Sequence, residues 1–240
     1  MVAAASLDPD AVLWSAPPHE RAGRPLLVLL HGYGSNEQDL FGLLPYLPDA
    51  FVVASVRAPL SPPFPVPGHS WFPIDGPQRR DPDQVAAAVT GLLEWLDDVR
   101  GDAAPVGLLG FSQGGAMALQ ALRTRPDAAA FAVVLAGFAL PGAVDGDEEL
   151  AAARPPVFWG RGSRDEVIAA DLVAHTAQWL PDHVDLSGRV YADLAHSVSE
   201  DELADVRVFL EKRLAAISWP RLLERRAPRG RPPGPGSPAG

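Results

Sequence analysis

Gly110-Phe111-Ser112-Gln113-Gly114 is a G-x-S-x-G pentad set between an apolar run, Val106 to Gly110, and a helical pattern. A serine on a strand-to-helix turn of this kind is a candidate nucleophile. The turn is so tight that side chains flanking the serine would clash, hence a glycine on either side, and the helix start favours developing negative charge. A serine hydroxyl is a poor nucleophile at neutral pH and requires a base, which must itself be oriented by an acid. With such a turn the acid follows the serine along the chain and the histidine comes last. Of the six histidines, His19, His31 and His69 precede Ser112. His175 falls inside a helical pattern and His183 in a helix-to-strand connection, where structural or surface roles are the ordinary expectation. His196 follows the last apolar run and precedes a helix that begins near Ser199, so it is the candidate base. The acid belongs after the penultimate run, in "GRGSRDEVI", where Asp165 and Glu166 stand side by side. Position alone leaves both open.

Positioning these groups requires a sheet. The runs Leu26 to Leu30, Phe51 to Ser55, Val106 to Gly110, Phe131 to Ala136, Val157 to Trp159 and Gly188 to Ala192 are apolar almost throughout. Strands look like this when helices cover both faces of a parallel sheet. Between them, Asp81 followed by Pro82 reads as an N-cap and first helical residue. Val85, Val89, Leu92, Leu96 and Val99 then mark one buried face of a helix to Arg100. Further helices are expected over Gln38–Leu47, Gln113–Thr124, Val167–Leu180 and Glu200–Ala215. Strands alternating with helices imply an α/β, mostly parallel, doubly wound sheet. The segment Leu60–Arg80 holds six prolines, which exclude a regular element, yet carries Phe64, Trp71, Phe72 and Ile74. It is expected to pack down and to wall a substrate pocket through Trp71 and Phe72. One domain is expected over residues 1–217, followed by a Pro/Gly/Arg-rich, disordered tail over 218–240.

Bulk properties exclude several classes of function. A net charge of -10 on 240 residues disfavours nucleic acid or an anionic membrane as the main partner, and a small or neutral substrate fits better. There is no cysteine, so disulfides, thiolate metal sites and a cysteine nucleophile are excluded. The N-terminal residues have no basic group before their apolar stretch, and no run approaches the length of a membrane span, so a cytoplasmic location without membrane insertion is expected. "HGYG" (His31 to Gly34) completes neither phosphate-binding glycine pattern, which argues against nucleotide.

"LLHGYGSNEQDL", "SWFPI", "GFSQGGAMAL", "GRGSRDEVI" and "AHSVSEDEL" together resemble the phospholipase/carboxylesterase family of α/β hydrolases, relatives of acyl-protein thioesterases, from about Leu26 to Leu214. In that family the acid stands three residues after a glycine and is followed, after one variable position, by two apolar residues. The resemblance therefore implies Asp165 as the acid and Glu166 as the variable residue, with Ser112 as nucleophile and His196 as base. It also implies that the backbone N–H groups of Tyr33 and Gln113 bind the oxyanion, and that no metal or cofactor takes part. Two residues depart from the pattern: Ala195 replaces the usual glycine before the base, and Glu166 stands where proline is common. The resemblance implies an α/β-hydrolase fold and cleavage of carboxylic esters through an acyl-enzyme; no insertion is long enough for a separate cap domain, so an open site and small or extended acyl substrates are expected. The same constellation serves thioesters, lysophospholipids and peptides, and a scaffold that binds acyl ligands without turnover is the non-catalytic alternative.

Overall fold

A computed structural model describes residues 6–74, 80–101 and 105–226, with 217–226 as helical backbone only. The elements run β1 (Leu13–Trp14), β2 (Leu26–Leu30), α1 (Glu37–Phe41), β3 (Val52–Val56), α2 (Pro82–Val99), β4 (Val106–Phe111), α3 (Gln113–Thr124), β5 (Phe131–Leu135), α4 (Asp147–Ala153), β6 (Pro156–Gly162), α5 (Ala170–His183), β7 (Asp185–Tyr191) and α6 (Glu200–Arg226). They form one seven-stranded sheet of order β1-β3-β2-β4-β5-β6-β7. Only β1, at one edge, is antiparallel to its neighbour.

The near-continuous apolar runs follow from burial on both faces. Along β2, Leu26, Val28 and Leu30 join a core that also holds Val89, Leu92 and Leu96 of α2, Met117 of α3 and Leu180 of α5. Leu27 and Leu29 point the other way, into a second core with Leu40 of α1 and Val206, Phe209 and Leu210 of α6. Two layers of helices sandwich the sheet, as α/β doubly wound architecture requires. Among the described residues no helix is long and apolar enough to cross a membrane.

The departures from sequence expectation have local causes. The helix expected over Gln38–Leu47 ends at Phe41, and a 3-10 turn over Leu44–Tyr46 replaces its second half. Pro45, which has no N–H to continue an α-helix, lies within that turn. The helix expected from Val167 starts instead at Ala170, because the N–H groups of Val167 and Ile168 are taken by the Asp165 carboxylate at 2.9 and 3.1 Å. β1 and α4, which carry no periodic signal of their own, were not expected. α6, expected over Glu200–Ala215, continues as helical backbone to Arg226, while residues 227–240 of the expected tail lie outside the described residues.

α3, which leads away from Ser112, is anchored at its far end by a buried ion pair. Arg123 is 1% exposed, pairs in bidentate fashion with Asp147 at 2.8 Å on both nitrogens, and donates to the carbonyls of Leu140 and Gly142. Removing one partner of such a pair leaves an uncompensated buried charge. Asp147→Ala is expected to lower unfolding stability by about 3 kcal/mol, read as a fall in the urea midpoint.

Candidate active site

The parallel strands end together, and the loops that follow β2, β4, β6 and β7 meet at their carboxyl edge. Ser112 is the residue between β4 and α3, with φ 53° and ψ -114°, a left-handed conformation that a non-glycine residue holds only under constraint from its surroundings. The pentad glycines supply that constraint. A Cβ on Gly110 would lie 2.2 Å from the carbonyl of Gly114, and one on Gly114 would lie 1.9 Å from the carbonyl oxygen of Leu30. The Ser112 N–H donates to Leu135 O at 2.8 Å and fixes the turn to β5.

The Ser112 hydroxyl lies 2.9 Å from His196 Nε2, and His196 Nδ1 lies 2.7 Å from Asp165 Oδ2. Asp165 and His196 have side chains only 3% and 14% exposed, while Glu166 is exposed and makes no hydrogen bond or ion pair with any described residue. Of the two adjacent acids, the structure brings Asp165 to the histidine and leaves Glu166 in solvent. The second Asp165 oxygen accepts from Val167 and Ile168, so the carboxylate has donors on both oxygens and its negative charge is satisfied. Phe111 packs against the imidazole, ring centroids 4.9 Å apart.

The loops that carry Asp165 and His196 are stitched directly to each other. Ser163 N–H donates to Tyr191 O, Arg164 N–H to Leu194 O and Asp193 N–H to Ser163 Oγ, each at 2.9 Å. Gly162 passes so close that a Cβ there would sit 2.0 Å from Leu194 O. The left-handed turn of the base loop falls at Asp193, φ 60°, so Ala195 loses nothing by not being glycine. Aspartate tolerates that conformation better than most side chains.

The loop after β2 forms the opposite wall. His31 is fully buried, its Nδ1 2.8 Å from Gly32 O and its Nε2 accepting from Ala58 N–H at 3.1 Å, and burial lowers its pKa, so it stays neutral. Trp71 donates its indole N–H to His31 O at 2.9 Å and its backbone N–H to Gln113 Oε1 at 2.9 Å, while Gln113 Nε2 donates to Phe72 O at 2.7 Å. This corrects the sequence expectation for two residues. Trp71 and Phe72 do not face an open pocket; they are 0% and 1% exposed and belong to the core behind the loop. The indole is turned inward by its bond to the His31 carbonyl. Phe64, from the same segment, is 97% exposed. The Tyr33 and Gln113 backbone N–H groups donate to no other described residue. A Cβ on the neighbouring Gly32 would fall 3.6 Å from Ser112 Cβ, so this loop runs alongside the serine.

The supporting roles of His31 and the Gln113 side chain were missed at the level of sequence, because both depend on contacts with a proline-rich segment about 40 residues away. Among the described residues no cluster of three or more His, Asp or Glu could hold a metal ion.

A serine on a strained turn at the carboxyl edge of a mostly parallel sheet, in hydrogen-bond line with a histidine and an aspartate from later loops, defines the α/β-hydrolase class. Residues 16–214 match the Phospholipase/Carboxylesterase family, to which the chain belongs and which makes it a carboxylic ester hydrolase. It is 27% identical over 217 residues to acyl-protein thioesterase 1 of Saccharomyces cerevisiae, covering 80% of this chain and 94% of that one. It is 30% identical over 203 residues to a pimeloyl-[acyl-carrier protein] methyl ester esterase of Neisseria meningitidis, covering 78% and 69% of the two chains. Among solved structures, esterase PE8 superposes with TM-score 0.69 at 27% identity, covering 86% of this chain and 98% of that chain. The Bacillus cereus carboxylesterase superposes with TM-score 0.71 at 19% identity over 84% and 93%, a likeness of fold.

Because Gln113 ties the nucleophile turn to the Trp71–Phe72 segment, Gln113→Ala leaves a buried N–H and a buried carbonyl without partners. The expected loss is about 2 kcal/mol of stability, measured by denaturant unfolding followed through tryptophan fluorescence.

Proposed function

We propose that the chain hydrolyses small carboxylic esters through an acyl-enzyme on Ser112. The reading is carried by one observation, the unbroken hydrogen-bond chain from Asp165 through His196 to Ser112. His196 Nε2 accepts the hydroxyl proton as Ser112 Oγ attacks the acyl carbonyl, and Asp165 holds Nδ1–H so that the right tautomer faces the serine. The Tyr33 and Gln113 backbone N–H groups are the donors for the tetrahedral oxyanion; they are unspent among the described residues, and Gln113 adds the first N–H of α3. As the intermediate collapses, His196 gives its proton to the leaving alkoxide. Water, deprotonated by the same imidazole, then attacks the acyl-enzyme and releases the carboxylic acid and Ser112.

Thioesters form the second reading, favoured by the similarity to the yeast acyl-protein thioesterase over nearly that protein's full length. The chemistry differs only in the leaving group, a thiolate in place of an alkoxide. Aryl esters from acetate to palmitate, run beside the matching acyl thioesters, separate the two and order the acyl lengths; turnover peaking on short oxygen esters is the expected result, and a thioester maximum would shift the assignment.

A fluorophosphonate probe is expected to label the wild-type protein and not Ser112→Ala. Asp165→Asn is expected to lower kcat by about 10,000-fold, the magnitude found when the orienting acid of a serine protease is replaced in the same way, while Glu166→Gln leaves kcat near wild type. A larger loss in Glu166→Gln than in Asp165→Asn would move the acid by one residue.

A further inference from the structure

Glu202, in the first turn of α6, is fully buried, and among the described residues neither of its carboxyl oxygens has a side-chain partner; the one donor that faces it is the backbone N–H of Ser199. Glu202 is held by its backbone, whose N–H donates to Ser199 Oγ at 3.2 Å. The side chain presses on β6 at Gly160: a Cβ there would fall 2.1 Å from Glu202 Oε1, so glycine makes the room the acid occupies. This seam lies beneath both loops of the site. Downstream of Gly160, β6 leads through Gly162 into Asp165; upstream of Glu202, α6 is entered from His196.

No cation among the described residues answers Glu202. On α6 its charged neighbour is Asp205, and on β7 the Tyr191 hydroxyl donates to Asp205 Oδ2 at 2.9 Å while Arg189 Nε lies 3.6 Å from that same oxygen. On β6, Gly160 lies against the acid with the Phe158 ring beside it. An unpaired carboxylate in such a place is costly enough that the group takes up a proton instead. Burial pushes the Glu202 carboxyl up to about 7; the Ser199 backbone N–H pulls the other way, and Asp205 adds to the rise.

We propose that Glu202 is a proton-dependent positioning residue: as the neutral acid it fills the seam between β6 and α6 and keeps the Asp165 and His196 loops in register, and its ionisation to solvent loosens that seam and slows ester hydrolysis. The kinetic half of this inference rests on the Ser112–His196–Asp165 reading. Because the folded-state pKa lies above the ordinary carboxyl value, the stabilisation is complete at acid pH and is lost as pH rises through about 7.

Glu202→Gln keeps the shape of the neutral acid and cannot ionise. Melting temperature and kcat of wild type and Glu202→Gln, from pH 6 to 9, test the idea, with the melting series repeated in a Ser112→Ala background. At pH 6 the two proteins are expected to have similar kcat. At pH 9 Glu202→Gln is expected to melt about 5 °C or more above wild type and to turn over several-fold faster at unchanged KM, and the melting gap is expected to recur with Ser112→Ala. A melting gap that does not vary with pH, of either sign, overturns the proposal. A pH-dependent melting gap with parallel kcat profiles overturns the positioning role. Turnover surviving in Ser112→Ala would instead defeat the nucleophile assignment, and the melting comparison would still decide the protonation of Glu202.

Discussion

The site depends on one backbone contact, the approach of Gly114 in the first turn of α3 to the carbonyl oxygen of Leu30 at the end of β2. No side chain fits between them. That contact forces the chain to reverse within a single residue after β4, and Ser112 absorbs the reversal in a left-handed conformation costing about 1–3 kcal/mol. The strain persists because the turn is over-determined, by the Ser112 N–H on Leu135 O, by Gly110 against Gly114 and by Gly115 against Gly137. The same closeness sets the loop after β2 beside the serine, so a single packing constraint places both the hydroxyl and the backbone donors.

Around this turn, buried polar groups sort by whether their charge is answered. Arg123 is charged and fully paired, and its pairing anchors α3 at the end remote from Ser112. Asp165 is charged and satisfied by two backbone N–H groups and an imidazole. His31 is kept neutral by burial and spends both ring nitrogens on backbone groups, which makes it a brace for its loop and removes it as a rival base. Glu202 alone among these has no answering cation or side-chain donor among the described residues. The low dielectric that strengthens the satisfied groups penalises this one, and so an acid far from the serine can matter to a site it does not touch.

Much of this was legible in the residues themselves. Five of the six apolar runs became parallel strands buried on both faces, which erases the alternation that would mark an open sheet, and α3 has the bounds its pattern implied, since its start is dictated by the pentad. The short elements were not legible: β1 has two residues and α4 seven, too few to show a period. Trp71 and Phe72 misled for a different reason. An aromatic pair in a proline-rich loop reads alike whether it faces a ligand or a core, and what decides is the partner of the indole N–H, here the His31 carbonyl.

Asp165 shows how geometry sharpens what spacing leaves open. The two acids of "RDEVI" are equivalent by position, but only a carboxylate that caps the N–H groups two and three residues ahead can be held rigid on a loop. Asp165 Oδ1 accepts from Val167 and Ile168, and that capping delays α5 to Ala170 while turning Oδ2 toward His196. One side chain therefore sets where a helix begins and where an imidazole points. A glutamate at the same position would be one methylene too long for the turn, and an acid one residue later faces solvent, as Glu166 does. The late start of α5, a departure from the apolar periodicity, is the structural trace of the same carboxylate that holds the His196 ring.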